Sequence, residues 1–419
     1  MSSAFQAVVR GEPGRLRTAK RKDYYVISIT GRDRPGITSA FARILKESQV
    51  RILDVEQATL QDILALSFLV DLSSGRVTPQ EALKDLLYQA KQMALNLDFR
   101  LFPPEEMIVR QSRYLYTLTC ISSQPMTDVL ARIAPILAEH NINIVTIRCL
   151  AERLFACIEM VVDASHSKPK ERIKQEILAA AGSLGIDLAV QRENLFRRSK
   201  RLLVFDMDRT LVAQHTMNEL AKRKGVEKEV ERLTEQALSG VIDYRKSLEK
   251  RVALLRGLTR RQLMEVARGM SLNQGVERLL KVVQRLGYKV ALISGGIDFF
   301  TSYIKQKLQL DYAFGNTLQM KNGRATGKLQ GKIIDAAAKA RILNELALRE
   351  KIHPEQVVAI GDGVNDVLML SQAGLGIAYH AKPVVAERAD ARISEGAMLS
   401  ILYLLGISER DLAEIEEKG

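Results

Sequence analysis

Three short apolar runs in the second half of the chain, each followed at once by polar residues, constrain the fold most strongly. The runs occupy residues 202–205, 290–293 and 357–360, and helical patterns separate them. A continuous apolar run of this length is typical of a strand buried on both faces of a parallel sheet. Alternation of such strands with helices predicts an α/β domain with a doubly wound parallel sheet, and a long helix-rich stretch predicts a helical insertion after its first strand.

Carboxylates follow the first and third of these runs. Asp206 and Asp208 come after the first run, and Asp362 and Asp366 come after the third. Because ligands of doubly wound sheets bind at the carboxyl ends of the strands, we expect these groups to meet in one cleft. Buried carboxylates need a cation or a proton to compensate their charge. Several carboxylates without a nearby Cys or His cluster favour a hard, oxygen-preferring ion, Mg2+ above all.

The second run leads into a segment suited to phosphate. Ser294, Gly295 and Gly296 combine a hydroxyl with flexible backbone N–H groups that can cradle a phosphate oxygen. Lys339, on a predicted helix, is the candidate to offset the remaining phosphate charge. Taken singly, an Asp-x-Asp is commonly a turn or helix cap, and a Ser-Gly-Gly is commonly a turn. Their shared position after apolar runs favours one phosphate-handling site.

The complete motif set resembles that of the haloacid dehalogenase superfamily of phosphotransferases. The set is Asp206-x-Asp208-x-Thr210, Ser294-Gly295-Gly296, Lys339 and Gly361-Asp362-Gly363-x-Asn365-Asp366. Segments 376–383 and 247–255 are similar to the phosphoserine phosphatase branch, the second of them through its cap motif. The resemblance implies a haloacid dehalogenase-like domain over residues 199–405, with a helical cap at about 214–285.

This resemblance also implies a mechanism, the Mg2+-dependent hydrolysis of a small phosphomonoester through an aspartyl-phosphate. Asp206 would be the nucleophile, and Asp208 would be the general acid and base. Asp206, Asp362 and the backbone carbonyl of Asp208 would hold Mg2+, with Asp366 in support.

Phosphate and substrate contacts follow from the same resemblance. Ser294, the N–H of Gly295 and Lys339 would hold the transferring group. Asn365 would help to position phosphate or substrate. Arg251 would pair with a substrate carboxylate, for which a guanidinium fork has the right geometry. Without the resemblance, Arg251 would be taken for an exposed helical arginine.

Two residues depart from the pattern of the phosphoserine phosphatase branch. Arg209 stands where the branch usually has Ser, and His215 stands where it usually has a Glu that faces the substrate ammonium group. A neutral imidazole is at best an acceptor there. Glu219, one helical turn further on, is an alternative partner for the ammonium group, and a position on the cap surface remains open for His215.

The first half of the chain predicts a duplicated α+β domain. Segments 47–55 and 139–147 resemble one another, and each copy has the strand–helix–strand–strand–helix–strand order of a ferredoxin-like sandwich. The expected copies are residues 23–97 and 113–192, joined by a linker at 98–112. They resemble ACT domains through the topology and through Asp33-x-Pro35-Gly36.

The ACT resemblance implies an amino-acid effector and pairing of the chain as a homodimer. Asp33 and Gly36 would lie at the regulatory site. A helix cap and a turn glycine are the structural alternatives for these two residues.

The charge and composition of the chain limit the classes of partner that it is expected to bind. The formal net charge of +13 favours anionic partners, and part of it lies in residues 1–22, expected to be a flexible basic tail. Low aromatic content, 5% with no Trp, and the absence of a nucleic-acid module argue against nucleic acid. No apolar stretch suits a membrane span or a signal peptide, and three cysteines without C-x-x-C spacing suit the cytoplasm.

Three functions are therefore open. The first is a phosphoserine phosphatase that hydrolyses O-phospho-L-serine to L-serine and phosphate, the last step of L-serine biosynthesis, under amino-acid control by the ACT domains. The second is the same chemistry, hydrolysis or phosphotransfer, on another small phosphomonoester. The third is an amino-acid-binding regulator with an idle phosphatase domain, against which the intact motifs argue.

Overall fold

A computed structural model describes residues 24–102, 114–152, 155–167, 170–394 and 396–417. These residues fall into two compact units, the first ending at Phe102 and the second beginning at Tyr114. The expected basic tail at 1–22 lies outside the described residues, as do residues 103–112 of the expected linker.

The first unit is an antiparallel sheet of four strands with two helices. Its elements are β1 (Tyr24–Arg32), α1 (Ile37–Glu47), β2 (Arg51–Leu60), β3 (Ile63–Asp71), α2 (Pro79–Gln92) and β4 (Asn96–Phe102). The strand order β2-β3-β1-β4 is the predicted ferredoxin-like arrangement. The start of the expected linker, from residue 98, is strand instead, because β4 stays paired with β1 as far as Phe102.

Alternate strand residues form the core of the first unit. Ile27 and Ile29 of β1 are fully buried, as is Phe41 of α1, because one face of the sheet carries the helices. α1 begins after Gly36, whose φ of 97° lies in the left-handed region that favours glycine. No side chain caps this helix, so the helix-cap alternative for Asp33 is wrong.

The second unit begins with the same order of elements. They are β5 (Leu115–Ser122), α3 (Met126–Glu139), β6 (Asn143–Ala151), β7 (Ala156–Asp163), α4 (Lys170–Ser183) and β8 (Asp187–Arg192). Their order β6-β7-β5-β8 repeats that of the first unit. The predicted duplication of an α+β domain is confirmed.

The remainder of the second unit is the predicted α/β domain. Its elements are β9 (Leu202–Phe205), α5 (Thr216–Lys224), α6 (Glu227–Leu238), α7 (Tyr244–Leu254), α8 (Arg260–Gly269), α9 (Val276–Arg285), β10 (Lys289–Ile297), α10 (Asp298–Leu308), β11 (Tyr312–Lys321), β12 (Arg324–Gln330), α11 (Ala336–Arg349), β13 (Val357–Gly361), α12 (Val367–Gln372), β14 (Leu375–Tyr379), α13 (Pro383–Ala386), β15 (Ala391–Ile393), α14 (Ser400–Leu404) and α15 (Glu409–Glu417). Strands β11-β10-β9-β13-β14-β15 run parallel, which confirms the doubly wound sheet.

One local prediction is confirmed within this domain, and a tight turn joins its two antiparallel strands. The helical insertion after the first strand is α5 to α9. Asn322 and Gly323 form the tight turn between the antiparallel strands β11 and β12, with φ values of 50° and 73°.

The register of the central strands positions the functional residues. All four residues of β9 are buried, and Phe205 lies opposite Leu292 of β10 on one side and Ile360 of β13 on the other. Since the three strands are parallel and in step, the polar residues after them emerge at one edge of the sheet.

The second α+β domain and the parallel sheet are joined edge to edge, a feature that the sequence did not predict. Ala189 of β8 pairs with Ala391 of β15, which makes one sheet of eleven strands. The carboxylate of Asp187 accepts hydrogen bonds from the backbone N–H of Ser394 at 2.7 Å and of Gly396 at 3.3 Å. The pairing involves β15, a strand of only three residues, which is too short to be predicted from its sequence pattern.

Candidate active site

Three carboxylates meet beyond the carboxyl ends of β9 and β13. Asp206 is the residue after β9, and its backbone N–H donates to Ile360 of β13 at 2.9 Å. Asp362 follows β13, and Asp366 lies on the short 3-10 turn after it. Oxygen atoms of the three side chains lie within 4.8 Å of one another. The structure therefore brings together the carboxylates at the two strand ends.

Lys339 is the cation built into this cluster. It lies on α11, is fully buried, and forms ion pairs with Asp206 and, at 2.7 Å, with Asp366. Burial opposes the lysine charge, but the Asp206 and Asp366 carboxylates outweigh burial and raise the pKa of Lys339 above its usual value. Lys339 is therefore charged at neutral pH.

One lysine does not balance the cluster. Burial, followed by the charge of Asp366, raises the pKa of Asp206 well above its usual value. The same two causes raise the pKa of Asp362 to about 7. Crowded carboxylates of this kind need a further positive charge, and an all-oxygen donor set fits a hard divalent cation.

Asp208 is held by the first cap helix. Its two carboxylate oxygens accept hydrogen bonds from the backbone N–H of Thr216 at 2.9 Å and from the Thr216 hydroxyl at 3.2 Å. Thr216 belongs to no sequence motif and was not predicted. Its position at the start of a helix, where side chains and N–H groups are free to bind a carboxylate, is the signal that could have indicated it.

His215 lies beside the same carboxylate. Its Nδ1 is 4.0 Å from Asp208 Oδ2, and this nitrogen is buried with no hydrogen-bond partner among the described residues. The imidazole therefore borders the cleft, and the alternative of a plain surface position on the cap does not describe it.

The segment after Ile293 lies against the carboxylates. The buried Ser294 hydroxyl accepts a hydrogen bond from the Gly296 N–H at 2.9 Å. A β-carbon at Gly296 would lie 3.5 Å from Asp208 Oδ2, so the backbone passes close to Asp208. Asn316 belongs to no sequence motif and was not predicted. Its side-chain amide donates a hydrogen bond to the carbonyl of Gly295 at 2.8 Å and holds this segment in place.

Arg251 is buried, 6% exposed, so its alternative as an exposed helical arginine is wrong. It lies on α7 of the cap, and its hydrogen bonds, to the Ser247 carbonyl at 3.4 Å and to Thr234 at 3.5 Å, are long. Burial lowers its pKa, and the nearby charge of Asp208 opposes that change. No ion pair to Arg251 occurs within the described part of the chain, which suits an anionic group of a ligand.

Glu219 and Asn365 differ in their relation to the cleft. The carboxylate of Glu219 binds Lys222 of its own helix at 3.0 Å and makes no contact with the cluster among the residues described. Its role as a partner for a substrate ammonium group stays a prediction. Asn365 is partly buried on the turn between Asp362 and Asp366.

Arg209 lies at the mouth of the site. Its φ of 61° is left-handed, its side chain is exposed, and its charge opposes the upward pKa shift of Asp362. Asp33 and Gly36 belong to the first unit, in the turn between β1 and α1.

A parallel sheet with these strand-end residues and a helical cap defines a haloacid dehalogenase-like hydrolase. Residues 203–371 match the haloacid dehalogenase-like hydrolase family model, and residues 23–100 and 120–191 each match an ACT domain model. The chain is 34% identical to a phosphoserine phosphatase of Streptomyces coelicolor, with 92% of this chain and 93% of the relative aligned. It is 32% identical to phosphoserine phosphatase SerB2 of Mycobacterium tuberculosis, over 92% and 94% of the two chains. The chain belongs to the phosphoserine phosphatase family.

Solved structures agree with this membership. A haloacid dehalogenase family hydrolase from Salmonella enterica is 30% identical with a TM-score of 0.62, over 70% of this chain and 99% of its own. A probable phosphoserine phosphatase from Vibrio cholerae is 26% identical with a TM-score of 0.55, over 76% and 94%. Within the described residues, the helices are all too short or too polar to cross a bilayer.

Proposed function

We propose that this chain is a Mg2+-dependent enzyme that hydrolyses O-phospho-L-serine to L-serine and phosphate. The choice of substrate rests on Arg251. Its guanidinium is buried, has no ion pair among the described residues, and lies within electrostatic reach of Asp208. A substrate carboxylate would supply the missing partner while its phosphoryl group lies at the carboxylate cluster.

The first chemical step is transfer of the phosphoryl group to Asp206. Lys339 holds one carboxylate oxygen of Asp206 and leaves the other to attack phosphorus. A bond forms between Asp206 and phosphorus as the bond from phosphorus to the serine oxygen breaks, and Asp208 donates a proton to that oxygen. Thr216 fixes the orientation of Asp208 for this transfer.

The second step is hydrolysis of the aspartyl-phosphate. Asp208, now ionised, removes a proton from water, and the water oxygen attacks phosphorus. Phosphate is released and Asp206 is regenerated. The same side chain therefore acts as acid and then as base.

The transferring group is held by residues of β10 and α11. Ser294, the Gly295 N–H and Lys339 bind its oxygens. Asp206, Asp362 and the Asp208 carbonyl would hold Mg2+, with Asp366 in support, and the ion would offset the charge of carboxylate and phosphate as they approach.

Residues of the cap contact the carboxylate and ammonium groups of the substrate. Arg251 binds the carboxylate, and His215 faces the ammonium group. Asn365, on the turn after β13, positions the phosphate. Glu219 has no part in this proposal, because Lys222 holds its carboxylate.

Phosphate release by the purified protein with Mg2+ tests the proposal. O-phospho-L-serine is compared with O-phosphoethanolamine, which lacks the carboxylate, and with p-nitrophenyl phosphate. We expect a preference for phosphoserine that falls at least about tenfold in Arg251→Met, and no turnover in Asp206→Asn. Preference for another ester would favour a different phosphomonoester, as Arg209 and His215 allow. No turnover of any ester would favour the regulator without catalysis.

The same proposal includes control of the enzyme by an amino acid bound to the ACT domains. It also includes the reaction as the last step of L-serine biosynthesis, in the cytoplasm. Asp33 and Gly36 lie at the start of α1 in the first unit, where an exposed carboxylate and a free helix terminus can bind an amino acid. Titration calorimetry with L-serine and glycine on the full chain, wild type and Asp33→Ala, measures this binding. Equal heats for both proteins would contradict the assignment of Asp33.

We further propose that the first ACT domain forms a homodimer through β4. Among the described residues no strand pairs with the outer edge of β4, and Phe99 and Leu101 are exposed there, at 42% and 51%. Antiparallel pairing of two copies about Phe99 places Leu97 opposite Leu101 and Asp98 opposite Arg100. Light scattering at micromolar concentration should give a dimer mass, and Phe99→Lys should give a monomer; a monomeric wild type would contradict the proposal.

A further inference from the structure

Tyr244, the first residue of α7, carries a hydroxyl that lies inside the cleft. A β-carbon built on Gly295 would collide with this hydroxyl, so the phenol oxygen occupies the space that only glycine leaves open. Gly295 belongs to the segment proposed to hold the phosphoryl group. Tyr244 therefore faces that segment from the cap.

The hydroxyl of Tyr244 has no hydrogen-bond partner among the residues described. Tyr244 is partly buried, so its hydroxyl is open to a hydrogen bond with a group that enters the cleft. Here the groups around it are charged members of the site: Asp206 and Asp366 after the strands, Lys339 from α11, and Arg251 from α7. A ligand in the cleft is thus the natural partner.

Tyr244 can act only as a donor toward an anion. Burial raises the pKa of its hydroxyl, and although Lys339 and Arg251 oppose that change the net direction is upward, so the phenol keeps its proton at neutral pH. A neutral donor adds no charge to a site that already holds several, and it contributes most where negative charge is concentrated.

We propose that the Tyr244 hydroxyl donates a hydrogen bond to a non-bridging oxygen of the substrate phosphoryl group. This role rests on the proposed phosphomonoester chemistry and extends it to a residue that no motif singles out. The contact comes from the cap, whereas Ser294 and Gly295 approach from β10 and Lys339 from α11.

The placement of Tyr244 also makes α7 a specificity element. Tyr244 and Arg251 are seven residues apart, two turns along one helix, and therefore lie on the same face. One helix then contacts the phosphoryl group through Tyr244 and the carboxylate through Arg251. An ester in which these anionic groups are wrongly spaced cannot satisfy both.

Tyr244→Phe is the decisive variant, because it removes the hydroxyl and keeps the ring. The variant is measured as the Mg2+-loaded full chain, beside the control variant Tyr288→Phe. Tyr288 is a partly buried tyrosine that precedes β10, at the opposite edge of the sheet. Thermal unfolding of both variants establishes that they fold. The measured quantities are kcat/KM for O-phosphoserine and O-phosphoethanolamine, and the inhibition constants of orthophosphate and L-serine.

We expect Tyr244→Phe to lower kcat/KM for both esters by about tenfold or more, and to weaken orthophosphate inhibition while L-serine inhibition is unchanged. Tyr288→Phe should change none of these. The proposal is overturned if Tyr244→Phe equals wild type, which would leave the ring as packing only. It is also overturned if only phosphoserine turnover and L-serine binding suffer, which would place the contact at the carboxylate.

The two proposals fail in different ways. A wild type that hydrolyses O-phosphoethanolamine but not phosphoserine would contradict the proposed substrate. Orthophosphate inhibition of that activity would still test Tyr244, since this readout does not depend on which ester is natural.

Discussion

The ammonium group of Lys339 lies 2.7 Å from the Asp366 carboxylate, and both side chains are fully buried. This pair is the fixed centre of the site, because it ties α11 to the turn after β13 and because Asp366 also accepts a hydrogen bond from the Gly363 N–H at 3.0 Å. The second ion pair of Lys339, to Asp206, ties the proposed nucleophile to the same centre.

Replacement of Lys339 by Met should destabilise the metal-free protein. The substitution leaves buried carboxylates without their cation, for which a loss of about 3–5 kcal/mol in the free energy of unfolding is expected. Urea unfolding in the presence of chelator measures the loss. Excess Mg2+ should recover part of it in the variant, and an unchanged unfolding midpoint would show that Lys339 does not compensate the cluster.

Removal of the metal should lower the melting temperature of the wild type. A ligand that binds only the folded state stabilises it by about 2.7 kcal/mol at a hundredfold excess over its dissociation constant. Scanning calorimetry with and without Mg2+ measures this shift. In Asp362→Asn the shift should shrink strongly, whereas Asp311→Asn, which loses its ion pair with Lys289 far from the cluster, should keep it. Equal shifts in the two variants would argue against Asp362 as a ligand.

Thr216→Val should slow turnover through Asp208. The variant loses the 3.2 Å hydroxyl contact and keeps the backbone N–H contact, so we expect kcat to fall about tenfold with a smaller change in KM. Thr216→Ser restores the hydroxyl and should restore most of kcat. Steady-state kinetics measure kcat and KM of both variants. A serine variant as slow as the valine variant would indicate that Thr216 acts through packing rather than through the hydrogen bond.

Lys200 should make stability depend on alkaline pH. Burial lowers the pKa of this lysine from 10.5 to about 8, although the charges of Asp390 and Glu355 oppose the change. Between these two pH values the unfolded chain binds the proton and the folded chain does not, so the free energy of unfolding rises with pH, by about 3 kcal/mol from this group. Below pH 8 both states are protonated and the gain is absent.

The matched comparison is Lys200→Met, which removes the titrating group. The difference in unfolding free energy between wild type and variant, measured by urea titration at pH 7.5, 9 and 10, should move in favour of the wild type as pH rises. A difference that stays constant over this range would contradict the lowered pKa of Lys200.

Much of the site follows from local pattern. The apolar run before Asp206 and the one before Asp362 specify strands buried on both faces, and burial on both faces specifies the centre of a parallel sheet. Because parallel strands end at one edge, the meeting of Asp206, Asp362 and Asp366 could be predicted from the sequence. The Asn322-Gly323 turn and the duplicated α+β order are local in the same sense.

The contribution of the cap could not be predicted in this way. Nothing near Arg251 along the chain indicates whether it is exposed or buried, because its burial comes from packing α7 over the sheet. Thr216 reaches Asp208 only because α5 is anchored there, and Glu219 on the same helix binds Lys222 instead.

The sequence alone determined which strands are followed by carboxylates, because the apolar run that forms a buried strand and the polar residue after it are adjacent in the chain. Only the tertiary structure decided which cap side chains face those carboxylates, and that β8 extends the sheet through Ala189 and Ala391. The physical reason is that these contacts join residues far apart in the chain, so they depend on how helices and sheet edges pack and leave no periodic pattern in the sequence.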